Sequence, residues 1–198
     1  MILGITGSIG SGKTTAANLF KKYGFSVINA DEISHQIMKK YSVAYKNIVK
    51  NFGNEILGKD MNIDRKKLGN IVFNDSKKLK KLNSIMHPLI IKEIKNKIKK
   101  MQKKYKNCAK IIIDAPLLIE ADADSLVDKV VVVKAFHKNV ITRNKKFSME
   151  QLEKIALTQL PLYEKLKKAN FMVDNTKDLK HLEKQVREII KTINLKTI

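Results

Sequence analysis

Cysteine is almost missing from this chain of 198 residues: Cys108 stands alone. A single thiol excludes an internal disulfide and fits a reducing compartment. Long apolar runs are missing too. No stretch approaches the roughly 20 residues that cross a bilayer. The N-terminus lacks a basic leader, and its glycines already belong to a motif. A cytoplasmic protein with no membrane partner is the expectation. Arginine is scarce, standing only at Arg65, Arg143 and Arg187, although the net charge is +21. The excess is lysine. Lys77-Lys78 with Lys80-Lys81, and Lys99-Lys100 with Lys103-Lys104, leave an apolar face to Leu79, Leu82, Ile98 and Met101. That spacing is the solvated side of amphipathic helices. Readers of phosphates and bases favour the arginine fork and stacking aromatics, and aromatics make up only 6% of the chain. The lysines therefore read as a solvated surface, the alternative being an electrostatic funnel for a polyanionic small substrate or nucleic acid.

What is present points to an ordinary globular chain. With 43% hydrophobic and 30% charged residues it is not disordered. Its length suits one domain, or one domain with an inserted subdomain. Met1 to Thr6 reads as a buried parallel strand. A helix over 13–23, stopped by Gly24, carries Ala16, Ala17, Leu19 and Phe20 inward. Phe25 to Ile28 is a second strand, and a helix with Ile33, Ile37 and Met38 starts near Asp31. From about residue 42 to 106 the periodicity is helical, with no convincing strand. Strands return at Ile111–Ile113 and Lys129–Val133, followed by a helix from His137 to about Arg143 and a polar, loop-like stretch over 144–148. Residues 149–168 are helical with a bend or break at Pro161. Phe171–Asp174 is a fifth strand and 178–193 a closing helix. Alternating strands and helices mean a parallel sheet covered on both faces, with the helical middle inserted between the second and third strands.

Residues 4–15 read GITGSIGSGKTT, and within them Gly7 to Thr14 fits G-x-x-x-x-G-K-[ST] between a strand and a helix. The glycines of such a loop let consecutive amides face phosphates. The helix N-terminus adds positive potential. Gly10, Ser11, Gly12, Lys13, Thr14 and Thr15 are the candidate ATP contacts. Lys13 would reach the β- and γ-phosphates and the Thr14 hydroxyl would ligate Mg²⁺. Asp114 closes the third strand in a Walker-B-like arrangement and is the second candidate metal ligand. Asp31 follows the second strand, at the carboxyl edge where parallel sheets bind ligands. It suits either an acceptor-side base or a helix N-cap. A GTPase would show N-K-x-D for guanine, which is absent, and a motor would usually be longer. The loop, the small size and the helical insertion suggest a small-molecule kinase.

Several stretches carry a more particular likeness. LGITGSIGSGKTTAANLF, VINADEI, the block from Asp64 to Ile94 with its His87-Pro88, IIIDAPLLIE, LVDKVVVV, LTQLPLYEK and FMVDN resemble the dephospho-CoA kinase family over residues 3 to about 175. The resemblance implies a P-loop NTPase-type five-stranded parallel sheet with helices on both faces, a helical CoA-binding insertion and a lid. Its boundaries would be a core of about 1–41, 107–143 and 169–198, an insertion of about 42–106 and a lid of about 144–168. It implies ATP and Mg²⁺ as cofactors. The reaction would carry a phosphoryl group from ATP to the ribose 3′-hydroxyl of dephospho-CoA. The family's D-A-D stands here as Asn29-Ala30-Asp31, so Asp31 keeps the position of the proposed base while Asn29 is a departure. Arg65, His87 and Lys92 fall at positions implied to face the acceptor, Arg65 pairing with a phosphate or with Asp64. In the lid, Arg143-Asn144 approximates the family's Arg-Asp pair and Ile155 replaces a further arginine, so Arg143, Lys145 and Lys146 are implied to share the neutralising of charge on the transferred group. Asn175, after the last strand, is implied to lie near the adenine. A monomer acting on small molecules, with no nucleic acid, is expected. The rivals are another small kinase, for nucleosides or nucleoside monophosphates, and a basic nucleic-acid-binding NTPase module, which would bind DNA or RNA in a strongly salt-dependent way.

Overall fold

The short apolar run that opens the chain becomes the central strand of a five-stranded sheet. The computed structural model describes residues 1–106, 109–135 and 149–195. Its strands are β1 (Ile2–Gly7), β2 (Ser26–Asn29), β3 (Ile111–Asp114), β4 (Lys129–Lys134) and β5 (Phe171–Asp174), in the order β2-β3-β1-β4-β5. β1 runs parallel to β3 and β4, and β4 parallel to β5. The expected five-stranded parallel α/β sheet therefore forms. The helices are α1 (Lys13–Lys22), α2 (Ala30–Ile37), α3 (Val43–Phe52), α4 (Arg65–Phe73), α5 (Ser76–Lys104), α6 (Met149–Leu157), α7 (Leu162–Lys167) and α8 (Leu179–Leu195).

The chain divides into two compact units, residues 1–28 with 100–198, and residues 29–99. In the first, Ile111, Ile112 and Ile113 are buried without alternation, as a strand covered on both faces demands. Leu3, Ile5, Val131, Val133 and Val173 of the sheet pack with Ala16, Ala17 and Phe20 of α1 and with Leu182, Val186 and Ile189 of α8. Phe20 meets Phe25 edge to face, ring centroids 5.4 Å apart, a geometry that adds to simple area burial. In the second unit α3, α4 and α5 close over their own core, built on Ala44, Ile48, Phe52, Leu68, Val72 and Met86. α5 runs through Pro88, which removes one backbone hydrogen bond from the ladder. Among the described residues this unit has no strand. An isolated antiparallel bridge joins Leu57 to Ile63, with a turn held by Gly58 N–H donating to Asn62 O at 2.9 Å.

Two element ends can be set against the sequence expectation. The bend or break expected at Pro161 within 149–168 is a break: α6 stops at Leu157 and Pro161 is the N-cap of α7. Proline has no amide to donate, and it disfavours helical backbone in the residue before it. The helix expected from about Asp31 starts one residue earlier, at Ala30, and its N-cap is Asn29, whose Oδ1 accepts from Glu32 N–H at 3.0 Å. The helix from His137, the loop over 144–148, and the residues Cys108, Arg143, Lys145 and Lys146 lie outside the described residues.

Candidate active site

The glycine loop leaves the carboxyl end of β1 under tight constraint. A Cβ on Gly7 would stand 2.3 Å from the carbonyl oxygen of Val133 on β4, closer than any side chain allows. Gly12 has φ 87° and is the N-cap of α1, a left-handed conformation that glycine adopts without steric cost. Glycine also brings no side chain to cap the helix. The first-turn amides of α1, those of Lys13, Thr14 and Thr15, therefore point along the axis toward the loop, with the positive end of the helix dipole behind them. Lys13 is buried, and its ammonium lies inside the loop, donating to Ser8 O at 2.8 Å and Gly7 O at 3.2 Å. Gly10 and Ser11 complete the turn, with Ser11 N–H donating to Ser8 O at 3.2 Å. Asn175, buried just past the end of β5, donates its side-chain amide to Ser11 O at 2.8 Å.

The register of the sheet brings the second element of the site to the loop. β3 pairs with β1 so that Asp114 lies opposite Ile5, two residues before the loop begins. Asp114 is 3% exposed. Its Oδ2 accepts a hydrogen bond from the Thr14 hydroxyl at 3.0 Å. A hydroxyl and a carboxylate oxygen side by side are hard donors of the kind that hold Mg²⁺, which takes few protein ligands and fills the rest of its octahedron with water and phosphate oxygens. The described residues contain no cluster of three or more His, Cys, Asp or Glu able to cage a metal.

The remaining candidates belong to the second unit. Asp31 is exposed in the first turn of α2, where the helix dipole stabilises its negative charge. The capping job is done by Asn29, so the two roles that the sequence left open for Asp31 separate. Asp64 is also a cap: its Oδ1 accepts from Lys66 N–H at 2.9 Å and Lys67 N–H at 3.3 Å. Arg65, the first residue of α4, turns its guanidinium instead to the ring nitrogen of His35. These two residues, with Lys39, Met38, Asn62 and Ile63, line a pocket of about 150 Å³. His87 is half-buried on α5 and Lys92 is exposed one turn further on.

Four residues that the sequence reading did not single out stand around the loop in the first unit. Ile9 N–H donates to Gln159 Oε1 at 3.1 Å. The next backbone amide, Leu160 N–H, donates to Glu120 Oε1 at 2.8 Å. Lys165 of α7 is fully buried and pairs with the same Glu120 oxygen at 2.9 Å. Thr6, at the end of β1, donates its hydroxyl to Pro116 O at 3.0 Å. In sequence all four lie inside stretches that carry the family resemblance, and Lys165 adds only its place three residues after Leu162 on a short helix. In a chain so rich in lysine that signal does not stand out.

Three comparisons bear on identity. A family model described as dephospho-CoA kinase matches residues 1–181. The dephospho-CoA kinase of Fusobacterium nucleatum is 42% identical over 199 residues, covering 98% of this chain and 98% of that protein. That of Lactobacillus johnsonii is 40% identical over 195 residues, covering 96% of this chain and 97% of that protein. Among solved structures, the dephospho-CoA kinase from Campylobacter jejuni superposes with a TM-score of 0.69 at 30% identity, over 100% of this chain and 98% of that one. With the loop, the Thr14–Asp114 pair and the helical second unit already described, these matches establish that the chain belongs to the dephospho-CoA kinase family.

Proposed function

We propose that this chain transfers the γ-phosphoryl group of ATP to the ribose 3′-hydroxyl of dephospho-CoA, giving CoA and ADP. Family membership supplies the acceptor. The observation that carries the donor half is the 3.0 Å contact between Thr14 and Asp114 beside the glycine loop.

Lys13 and the first-turn amides of α1 hold and neutralise the β- and γ-phosphates. Thr14 and Asp114 would hold the metal. Magnesium bound there would offset the charge of the phosphates. Asn175 supports the carbonyl side of the loop at Ser11. Asp31 orients the 3′-hydroxyl and takes its proton late, because the transition state of phosphoryl transfer is loose and positioning dominates. Arg65, His87 and Lys92 serve the acceptor, and Arg143 serves the transferred group from the edge of the lid. The domain reading remains a nucleotide core, a CoA-binding insertion of about 42–106 and a lid of about 144–168. No helix among the described residues is long and apolar enough to cross a membrane. We read the protein as a cytoplasmic monomer working on two small molecules without a nucleic-acid partner.

The test is a coupled ADP-release assay across dephospho-CoA, nucleosides and nucleoside monophosphates, with and without Mg²⁺. Turnover is expected with dephospho-CoA alone and only with the metal. Faster turnover of any nucleoside monophosphate would overturn the acceptor assignment.

A further inference from the structure

We propose that Gln159 is a positioning residue of the phosphate loop, held in place by a buried lysine–glutamate pair, and that it raises affinity for ATP. The inference rests on the reading of the loop as the ATP site.

Ile9 lies in the most glycine-rich part of the chain, between Gly7 and Gly10. A loop of that composition has many conformations to lose on binding a ligand. Its amide is tied to Gln159 Oε1 at 3.1 Å across 150 residues of sequence. One hydrogen bond from an unsupported side chain would do little, but Gln159 is held by contacts on both sides. The backbone on its carboxyl side is fixed by Leu160 N–H donating to Glu120 Oε1 at 2.8 Å. On its amino side the Thr158 hydroxyl donates to Ile155 O at 2.7 Å, back into α6.

Glu120 is itself fixed. Lys165, 0% exposed, gives its ammonium to Glu120 Oε1 at 2.9 Å and to Pro116 O at 2.7 Å, with Thr6 Oγ1 at 3.5 Å. A buried ion pair of this kind adds little stability over apolar residues of the same volume, because desolvation offsets the attraction. Its effect is geometric. It locks three segments to one point: the end of β1 through Thr6, the exit of β3 through Pro116, and the turn between α6 and α7 through Glu120 and Leu160. Two of those segments carry the loop and Asp114. The third carries Gln159. A ligand that needs the loop in one shape finds it already restricted, and preorganisation of this sort appears as affinity.

Gln159→Met tests the inference, since methionine keeps the length and volume but replaces the amide oxygen with a thioether sulfur that accepts only weakly. A neutral hydrogen bond of ordinary net strength corresponds to about a 3- to 10-fold change. The variant is expected to bind ATP about 3- to 10-fold more weakly by calorimetry, and to raise KM for ATP by the same factor. KM for dephospho-CoA and the melting temperature of the ligand-free protein should stay as in the wild type. Hydrogen exchange at the Ile9 amide should be faster. Wild-type affinity for ATP in Gln159→Met would overturn the tether while leaving the kinase reading intact. A fall in melting temperature with both KM values rising together would overturn it as well, by showing a structural role. A wild-type chain with no affinity for ATP would overturn both.

Discussion

At the scale of the residue, the site separates into groups whose purpose shows in their chemistry and groups whose purpose shows only in their contacts. Asp31 is of the first kind. Asn29 supplies the cap of α2, so Asp31 is not the N-cap. Asp31→Asn removes the proton acceptor and keeps the shape. General bases contribute about 10²- to 10⁴-fold in rate, and a loose transition state that releases its proton late places this one near the lower end. We expect kcat to fall about 100-fold with KM for ATP unchanged in steady-state assays. An unchanged kcat would remove Asp31 from the chemistry. The loop was legible beforehand because glycines, Lys13 and Thr14 at fixed spacing have few other uses. Lys165 was not. A lysine among 40 basic residues reads as surface, and only burial with Glu120 opposite shows otherwise.

Whole elements were legible where one period dominated. The run Ile111 to Ile113 announced a buried strand, and the lysine-spaced apolar face of the middle announced helices. Ends were less legible, since they depend on single hydrogen bonds. The start of α2 illustrates this. Asn29 departs from the aspartate implied by the family resemblance, yet asparagine and aspartate cap helices equally well. Asn29→Asp should therefore leave thermal stability within about 0.5 kcal/mol. Asn29→Ala should cost about 1 kcal/mol, or about 2–4 °C for a chain of this size. Equal melting temperatures for all three proteins would show that the cap contributes nothing. The end of β5 offers a second case. Hydrogen bonds from Thr176 hold the Asp174 carboxyl below the usual carboxylate range, with the Lys134 charge adding to the effect. A group whose folded pKa is depressed stabilises the fold above its unfolded value, about 3.9, and loses that contribution as pH falls through the folded value. Asp174→Asn should thus be destabilised relative to wild type at pH 7 and equally at pH 5. The two melting curves should converge below about pH 4. A gap that persists into acid would assign the loss to packing instead.

For the whole molecule, strand order was not legible beforehand. Which strand neighbours which depends on contacts between distant segments, and five apolar strands are interchangeable in composition. Their order, with β1 in the middle, is what sets Asp114 and the glycine loop side by side. The proposed donor and acceptor residues divide between the two units. Lys13, Thr14, Asp114 and Asn175 all belong to the unit formed by residues 1–28 and 100–198, whereas Asp31, Arg65, His87 and Lys92 all belong to residues 29–99. A ligand protects the amides of the unit that binds it, through the extra stability that binding confers, about 2.7 kcal/mol at a hundredfold excess over Kd. Hydrogen exchange followed by mass spectrometry should then separate the two substrates. ADP alone should slow exchange over residues 7–15 and leave 65–92 unchanged. Dephospho-CoA alone should slow exchange over 65–92 and leave 7–15 unchanged. Protection of 65–92 by ADP alone would refute the assignment of donor and acceptor to separate units, and would return Arg65, His87 and Lys92 to the nucleotide side.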